Sequence, residues 1–444
     1  MSYKYSLAGF VDSIAKRRQL VKLPKKLSAR FEAAAAEMFF DSKSTVIIET
    51  EESNFPIVAN LINTKNKYSL ALGCDEDQVE NVFSRAVAEA RRPREEDGEF
   101  LKNSTSKGLD ILPIVTHFEK DAGAYVTSSI VVALNKETKT QNISVHRLLK
   151  LGEDRMAIRM VEGRHLHRAF TLAKEAGEDL HVAVVIGVHP AVEIAASYQA
   201  PYGFDELYLA NSLMQGRLGI TKLNNGLHVP SCSEIVLTGK ILADEVADDY
   251  MVEMLGNYDI PRKQPVLQVE RIYYKDKAYF RDILPGGREH RLLMSYAVEL
   301  KVAKAVRDVV PSTKKVVFTD GGRNWLHAVI QMKKRLEGEP KNAILAAFGA
   351  HPSLKHVVVV DEDINPEDPQ SVEYAIATRF QAGRGIVMIR DAKGSSLDPS
   401  SDQSLLLTDK LGIDATASVL KDRSRFELGR IPGYEKVVEE IKKL

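Results

Sequence analysis

Three textures of hydrophobic and polar positions succeed one another along the chain. Over residues 7–90, apolar residues recur with helical spacing between short continuous runs such as 45–48. This alternation predicts a small α/β domain ending in a helix over 77–90. The charged segment Arg91-Arg92-Pro93-Arg94-Glu95-Glu96-Asp97-Gly98, punctuated by proline and glycine, follows as a candidate linker. From about residue 110 to 305 the pattern turns β-rich, with runs at 125–134, 156–161, 182–186, 234–237, 265–274 and 278–284. So many strands without a regular helix between them predict a barrel-like central domain, with an inserted helix over 164–176 and a mobile turn at Pro285-Gly286-Gly287.

Beyond about residue 306 the α/β rhythm returns, with buried-strand runs at 315–318, 356–360 and 386–389. The polar ends Asp320-Gly321-Gly322 and Asp361-Glu362-Asp363 are either ligand-facing strand exits, as open α/β sheets provide, or solvated acids. Val437, Val438, Ile441 and Leu444 share a helical face that predicts a docking arm. The boundaries that follow are 1–105, 106–305 and 306–444.

Composition narrows the function classes. With 444 residues, 44% hydrophobic and 27% charged, the chain has the make-up of a multidomain globular enzyme. Acidic and basic residues balance at 61 each, so no net field draws the protein to nucleic acid. No run approaches the roughly 18 apolar residues of a membrane span. Residues 1–20 lack the apolar core of a secretory signal and read as a first helix. Cys74 and Cys232 are too few for a disulfide framework, so a reducing, cytoplasmic setting is expected.

The chain has no Walker A loop, no Gly-x-Ser-x-Gly elbow and no His-Glu-x-x-His. The remaining candidates each have a bland reading. His165 or His167 could ligate a metal or merely begin a helix. The acids of Asp248-Asp249-Tyr250-Met251-Val252-Glu253 could form a proton-transfer pair or a solvated turn. Arg147, in Asn142-Ile143-Ser144-Val145-His146-Arg147, could fork onto a carboxylate or sit on a strand surface.

Taken together and in order, these segments resemble the UbiD family of decarboxylases over nearly the whole chain. Asn142, Ser144, Val145 and Arg147 match its Asn-x-Ser-Ile/Val-x-Arg strand. His165 is similar to its phosphate-side histidine, with Arg164 where relatives usually have glutamine. The segment 186–191, then Ala196-Ser197-Tyr198 and Pro201 to Glu206, resembles its Gly-x-x-Pro-Ala exit and third metal ligand. Asp398-Pro399 and the run 408–416 resemble its ending. Asp248 and Glu253 have the separation of its acidic motif without the Gly-Pro turn.

The resemblance implies a central split β-barrel that binds prenylated FMN, between an N-terminal α/β domain and a C-terminal α/β domain with an oligomerisation helix. It implies Asn142, His165 and Glu206 as ligands of Mn²⁺ or Mg²⁺, with K⁺ as a candidate further ion. Ser144, Val145, Arg147, Arg164, Ser197 and Lys410 would complete the cofactor contacts. Arg147 would grip the carboxylate of an unsaturated acid, Glu253 would protonate the carbon left by CO₂, and Asp248 would tune their charges. A flavin prenyltransferase as cofactor supplier and a homodimer or homohexamer are implied as partners.

The phrases at 339–343 and 353–361 look most like the family's archaeal branch, which includes enzymes acting on trans-anhydromevalonate 5-phosphate, and the resemblance implies that acid as substrate, with a paralogue acting on another acid left open by the altered acidic motif. For the substrate phosphate, Arg288, His290 and Arg291 in the 286–291 turn are candidate cations. An aromatic acid as substrate, or a flavin-binding subunit without activity, are the alternatives.

Overall fold

The computed structural model describes residues 3–442, which divide into two compact units, the first ending at Ala297 and the second beginning at Val298. The first helix is Leu7–Lys16, capped by Ser6, whose hydroxyl accepts from the amide of Gly9. Leu7, Phe10, Val11 and Ile14 give it one buried face. The helix expected over 77–90 is Val79–Ala88, preceded by a 3₁₀ turn.

The centre of the first unit is a closed six-stranded antiparallel barrel. In spatial order its strands are Ile235–Asp249, Leu180–Ile186, Tyr125–Asn135, Thr140–Lys150, Arg155–Ile158 and Arg262–Tyr274, and the last pairs back onto the first. Closure removes the free edges that so many strands would otherwise expose. Val131, Ala133, Leu148, Ile158, Val184 and Leu237 belong to a continuous buried core with Val46, Ile57 and Phe280.

That continuity has a topological cause. The 278–284 run is not a barrel strand. Its Phe280–Arg281 pairs in parallel with Ile57–Ala59, completing a four-stranded sheet with Leu20–Lys22 and Thr45–Ile48. The chain thus returns from the barrel to the N-terminal sheet. The 91–98 segment also carries strand pairing, with Arg94–Glu95 parallel to Gly219–Lys222.

The second unit holds a five-stranded sheet in the order Thr313–Phe318, His327–Met332, His356–Asp361, Leu407–Ala415 and Ile386–Lys393. The three runs read from the sequence are present, and two further strands lie among them. The acids after His356–Asp361 are taken up internally, since Arg379 forks onto Asp361 (2.6 Å) and Asp363 (2.6 and 2.8 Å). In the terminal helix Tyr434–Ile441, Val437 and Ile441 are exposed, while Leu444 lies outside the described residues. Among the described residues no helix is long and apolar enough to cross a membrane.

Candidate active site

The strand Thr140–Lys150 carries two polar clusters. The first gathers Asn142, His165 and Glu206 from three elements. Glu206 opens the helix Glu206–Leu213, with Asp205 as its cap, and His165 opens the helix His165–Glu175. Both residues therefore stand at helix N-termini, where unpaired amides and the macrodipole favour negative charge. The buried Glu206 carboxylate accepts from Asn142 Nδ2 at 3.2 and 3.3 Å and from the amide of Ile143 at 2.9 Å. His165 Nδ1 lies 3.8 Å from Glu206 Oε1.

Ser144 lies one pleat along, its hydroxyl 3.0 Å from Asn142 Oδ1 and 2.9 Å from His146 Nε2. His146 Nδ1 faces the carbonyl of Arg159 at 2.8 Å and must donate to it. Burial lowers the His146 pKa to about 4, so the ring is neutral and its Nε2 accepts. One Ser144 proton then serves two acceptors, which leaves Asn142 Oδ1 with lone-pair capacity for a cation. Amide oxygen, carboxylate and imidazole together suit a hard or borderline divalent ion such as Mn²⁺ or Mg²⁺.

The second cluster centres on Arg147, five residues on and roughly 16 Å along the strand. Its Nε donates to Asp249 Oδ2 at 3.1 Å, and its terminal nitrogens reach Asp249, Glu253 and, at 3.4 Å, Asp259. Burial alone would lower the guanidinium pKa, but Glu253 and Asp249 outweigh it and hold the group above its ordinary value. Burial raises the Glu253 pKa, with Arg147 opposing. The result is a permanent cation beside a carboxyl inclined to keep its proton, a pairing suited to holding a carboxylate and delivering a proton.

Asp248 does not join this cluster. Its side chain is 74% exposed and pairs with Lys263 at 3.2 Å, whereas that of Asp249 is 1% exposed and also accepts from Tyr125 Oη at 3.0 Å. The expectation for Asp248 is corrected to Asp249. The reason is a register shift between Ile241 and Val246 in the strand Ile235–Asp249, after which pleat alternation turns Asp249 inward. Sequence reasoning also missed Asp259 and Tyr125, for which one chain offers no local signal.

The 285–287 turn is packed, not mobile. Gly286 has φ +70°, and a Cβ there would meet Gly256 Cα at 3.0 Å and the carbonyl oxygen of Glu253 at 3.2 Å. Residues 288–291 form the first turn of the helix Arg288–Val309. Arg288 donates its amide to Asp41 at 2.8 Å, and Arg291 is buried. His290 is corrected as a cation: its Nδ1 accepts from the amide of Gly286 at 3.1 Å, and burial lowers its pKa to about 4, with Arg147 adding to the shift.

The other expected residues are placed as follows. Val145 lies half-buried on the strand and pairs with Ile130. Arg164 is the exposed cap residue of the His165 helix. Ser197 donates to the carbonyl of Glu193 at 2.9 Å. Lys410, in the second unit, is buried with its ammonium on the carbonyls of Leu354 (2.6 Å) and Pro352, and burial lowers its pKa to about 8.

Residues 91–288 match the family model for the 3-octaprenyl-4-hydroxybenzoate carboxy-lyase Rift-related domain, and residues 291–415 match that for the C-terminal domain of the same enzymes. An anhydromevalonate phosphate decarboxylase from Methanocaldococcus jannaschii is 52% identical over 72% of this chain and 75% of its own length. Among solved structures, the UbiD-class enzyme HmfF from Pelotomaculum thermopropionicum in complex with FMN is 35% identical, covers 97% of this chain and 98% of its own, and has a TM-score of 0.94. An evolved dimeric form of that enzyme in complex with prFMN, 32% identical over 97% of this chain and 98% of its own, has a TM-score of 0.88.

Proposed function

Because the chain belongs to the UbiD family of carboxy-lyases, we propose that it decarboxylates trans-anhydromevalonate 5-phosphate to isopentenyl phosphate and CO₂, with prenylated FMN as cofactor. The observation that carries this reading is the placement of both clusters on one strand. Asn142, His165 and Glu206 would hold a divalent ion, which would help neutralise a phosphate-bearing cofactor, and Arg147 with Glu253 suits the reacting end of an acid. The two helix N-termini at His165 and Glu206 add to the attraction for phosphate. The isoprenylated flavin, when bound, supplies the electron sink for the pair released with CO₂.

The chain's own residues do the rest. Arg147 receives the substrate carboxylate through its planar donor fork. Asp249 and Asp259 keep the guanidinium aimed and charged, so it does not reorganise as negative charge departs. Glu253 delivers the proton to the carbon that loses CO₂, its raised pKa keeping the proton available nearer neutrality. Arg288 and Arg291 are the cations assigned to the substrate phosphate, and Ser144, Val145, Arg164 and Ser197 to the cofactor. A flavin prenyltransferase supplies that cofactor, and the working form is a homo-oligomer.

The test is co-expression with a flavin prenyltransferase, mass spectrometry and absorption of the purified protein, and CO₂ release from trans-anhydromevalonate 5-phosphate beside 4-hydroxybenzoate. Prenylated flavin with CO₂ from the phosphorylated acid alone is the expected outcome. Turnover of the aromatic acid alone would refute the substrate, and failure to retain flavin with Mn²⁺ present would refute the cofactor.

A further inference from the structure

A third polar cluster lies where the N-terminal sheet meets the barrel. Glu37 comes from the helix Glu32–Phe40, held in place by Asn60 Nδ2 donating to its backbone carbonyl at 2.8 Å. His117 comes from a loop, and Asp282 follows the strand Phe280–Arg281 directly. Their exposures are 0%, 5% and 0%, and one ligating atom of each lies within 4.8 Å of the other two. His117 Nε2 is 2.7 Å from Asp282 Oδ2, and Thr127 donates to Asp282 Oδ1 at 2.8 Å.

Hydrogen bonding leaves this cluster short of positive charge. Neither carboxylate oxygen of Glu37 has a donor, and neither does His117 Nδ1 or the neighbouring Glu289 Oε2. Arg281 is already engaged by Glu193 at 3.0 Å and Glu289 at 2.6 Å. Buried acceptors without donors are rare in native proteins and point to a missing partner. A proton on Glu37, which burial and Asp282 both favour, would hydrogen-bond to Asp282 and still leave His117 Nδ1 and Glu289 Oε2 without a donor.

We infer that Glu37, His117 and Asp282 bind a divalent transition ion, zinc by preference. One imidazole and two carboxylates in a closed, buried setting match zinc, which binds three such protein ligands readily. Magnesium, which keeps several waters, does not match. This ion is separate from the one assigned to Asn142, His165 and Glu206, and the inference does not depend on the proposed substrate. It ties the N-terminal helix to Asp282, just ahead of the turn in which Gly286 packs on Glu253.

The experiment is metal analysis of full-length protein, wild type and Glu206→Gln, after exposure to zinc and exhaustive dialysis. One tightly held zinc per chain that survives Glu206→Gln and is lost in Glu37→Gln and His117→Gln is the expected result, together with a lower Tm after a strong chelator. Zinc content unchanged by both cluster substitutions would overturn the inference. Should those variants fail to fold, diffraction at the zinc edge from wild-type crystals grown with zinc decides: an anomalous peak between the three side chains supports the site, and its absence assigns the cluster a shared proton instead.

Discussion

Asp248 and Asp249 are adjacent acids with opposite surroundings, and exchanging each for asparagine separates reasoning from tertiary position from reasoning along the chain. Asp249→Asn keeps the shape, and the amide oxygen can still accept from Tyr125 Oη. What is lost is the charge facing Arg147, a buried ion pair with side-chain exposures of 10% and 1%. Removing one member of a fully buried pair costs about 3–5 kcal/mol. Glu253 and Asp259 still face the guanidinium, so a loss of about 2–3 kcal/mol is expected here. Arg147 then draws more strongly on Glu253 and favours its ionised form, so the proton donor is weakened too. A fall in kcat of about 10²-fold is the expected scale for losing one fixed electrostatic partner. Asp248→Asn removes only an exposed pair with Lys263, for which a change within about 0.5 kcal/mol is expected. Denaturant titration and CO₂ release from flavin-loaded protein measure both. Equal losses in the two variants, or a neutral Asp249→Asn, would refute the assignment.

Glu206→Gln removes the charge that meets Asn142, the Ile143 amide and His165, and flavin retention after gel filtration should drop at least tenfold while the fold persists. Because burial raises the Glu253 pKa, activity that needs its proton should persist above the usual glutamate range and fall as pH rises; Glu253→Gln should abolish turnover, and a pH profile identical to wild type would contradict its role. His290 works in the opposite direction. Its pKa is about 4 folded against 6.5 for an ordinary histidine, so the unfolded chain takes up a proton first, and stability should fall by roughly 3 kcal/mol as pH drops from 6.5 to 4. In His290→Asn that acid limb should flatten, as urea titrations at several pH values would reveal.

By itself, the sequence determined the element types and the β-rich middle, and its resemblance to the UbiD family pointed to Asn142, Ser144, Arg147, His165 and Glu206, which the fold brings into two clusters. These were legible because local periodicity marks strands and helices, and because the order of short polar motifs survives in one dimension. Tertiary structure alone decided which carboxylate meets Arg147, since a register shift between Ile241 and Val246 resets the alternation that residue counting assumes. It also decided that His290 is neutral, because the charge of an imidazole depends on its burial and its neighbours and not on the flanking arginines. The return of Phe280–Arg281 to the N-terminal sheet, and with it the meeting of Glu37, His117 and Asp282, is likewise a long-range pairing. Such a pairing reflects the burial of apolar surface across the whole unit, which no stretch of chain encodes locally.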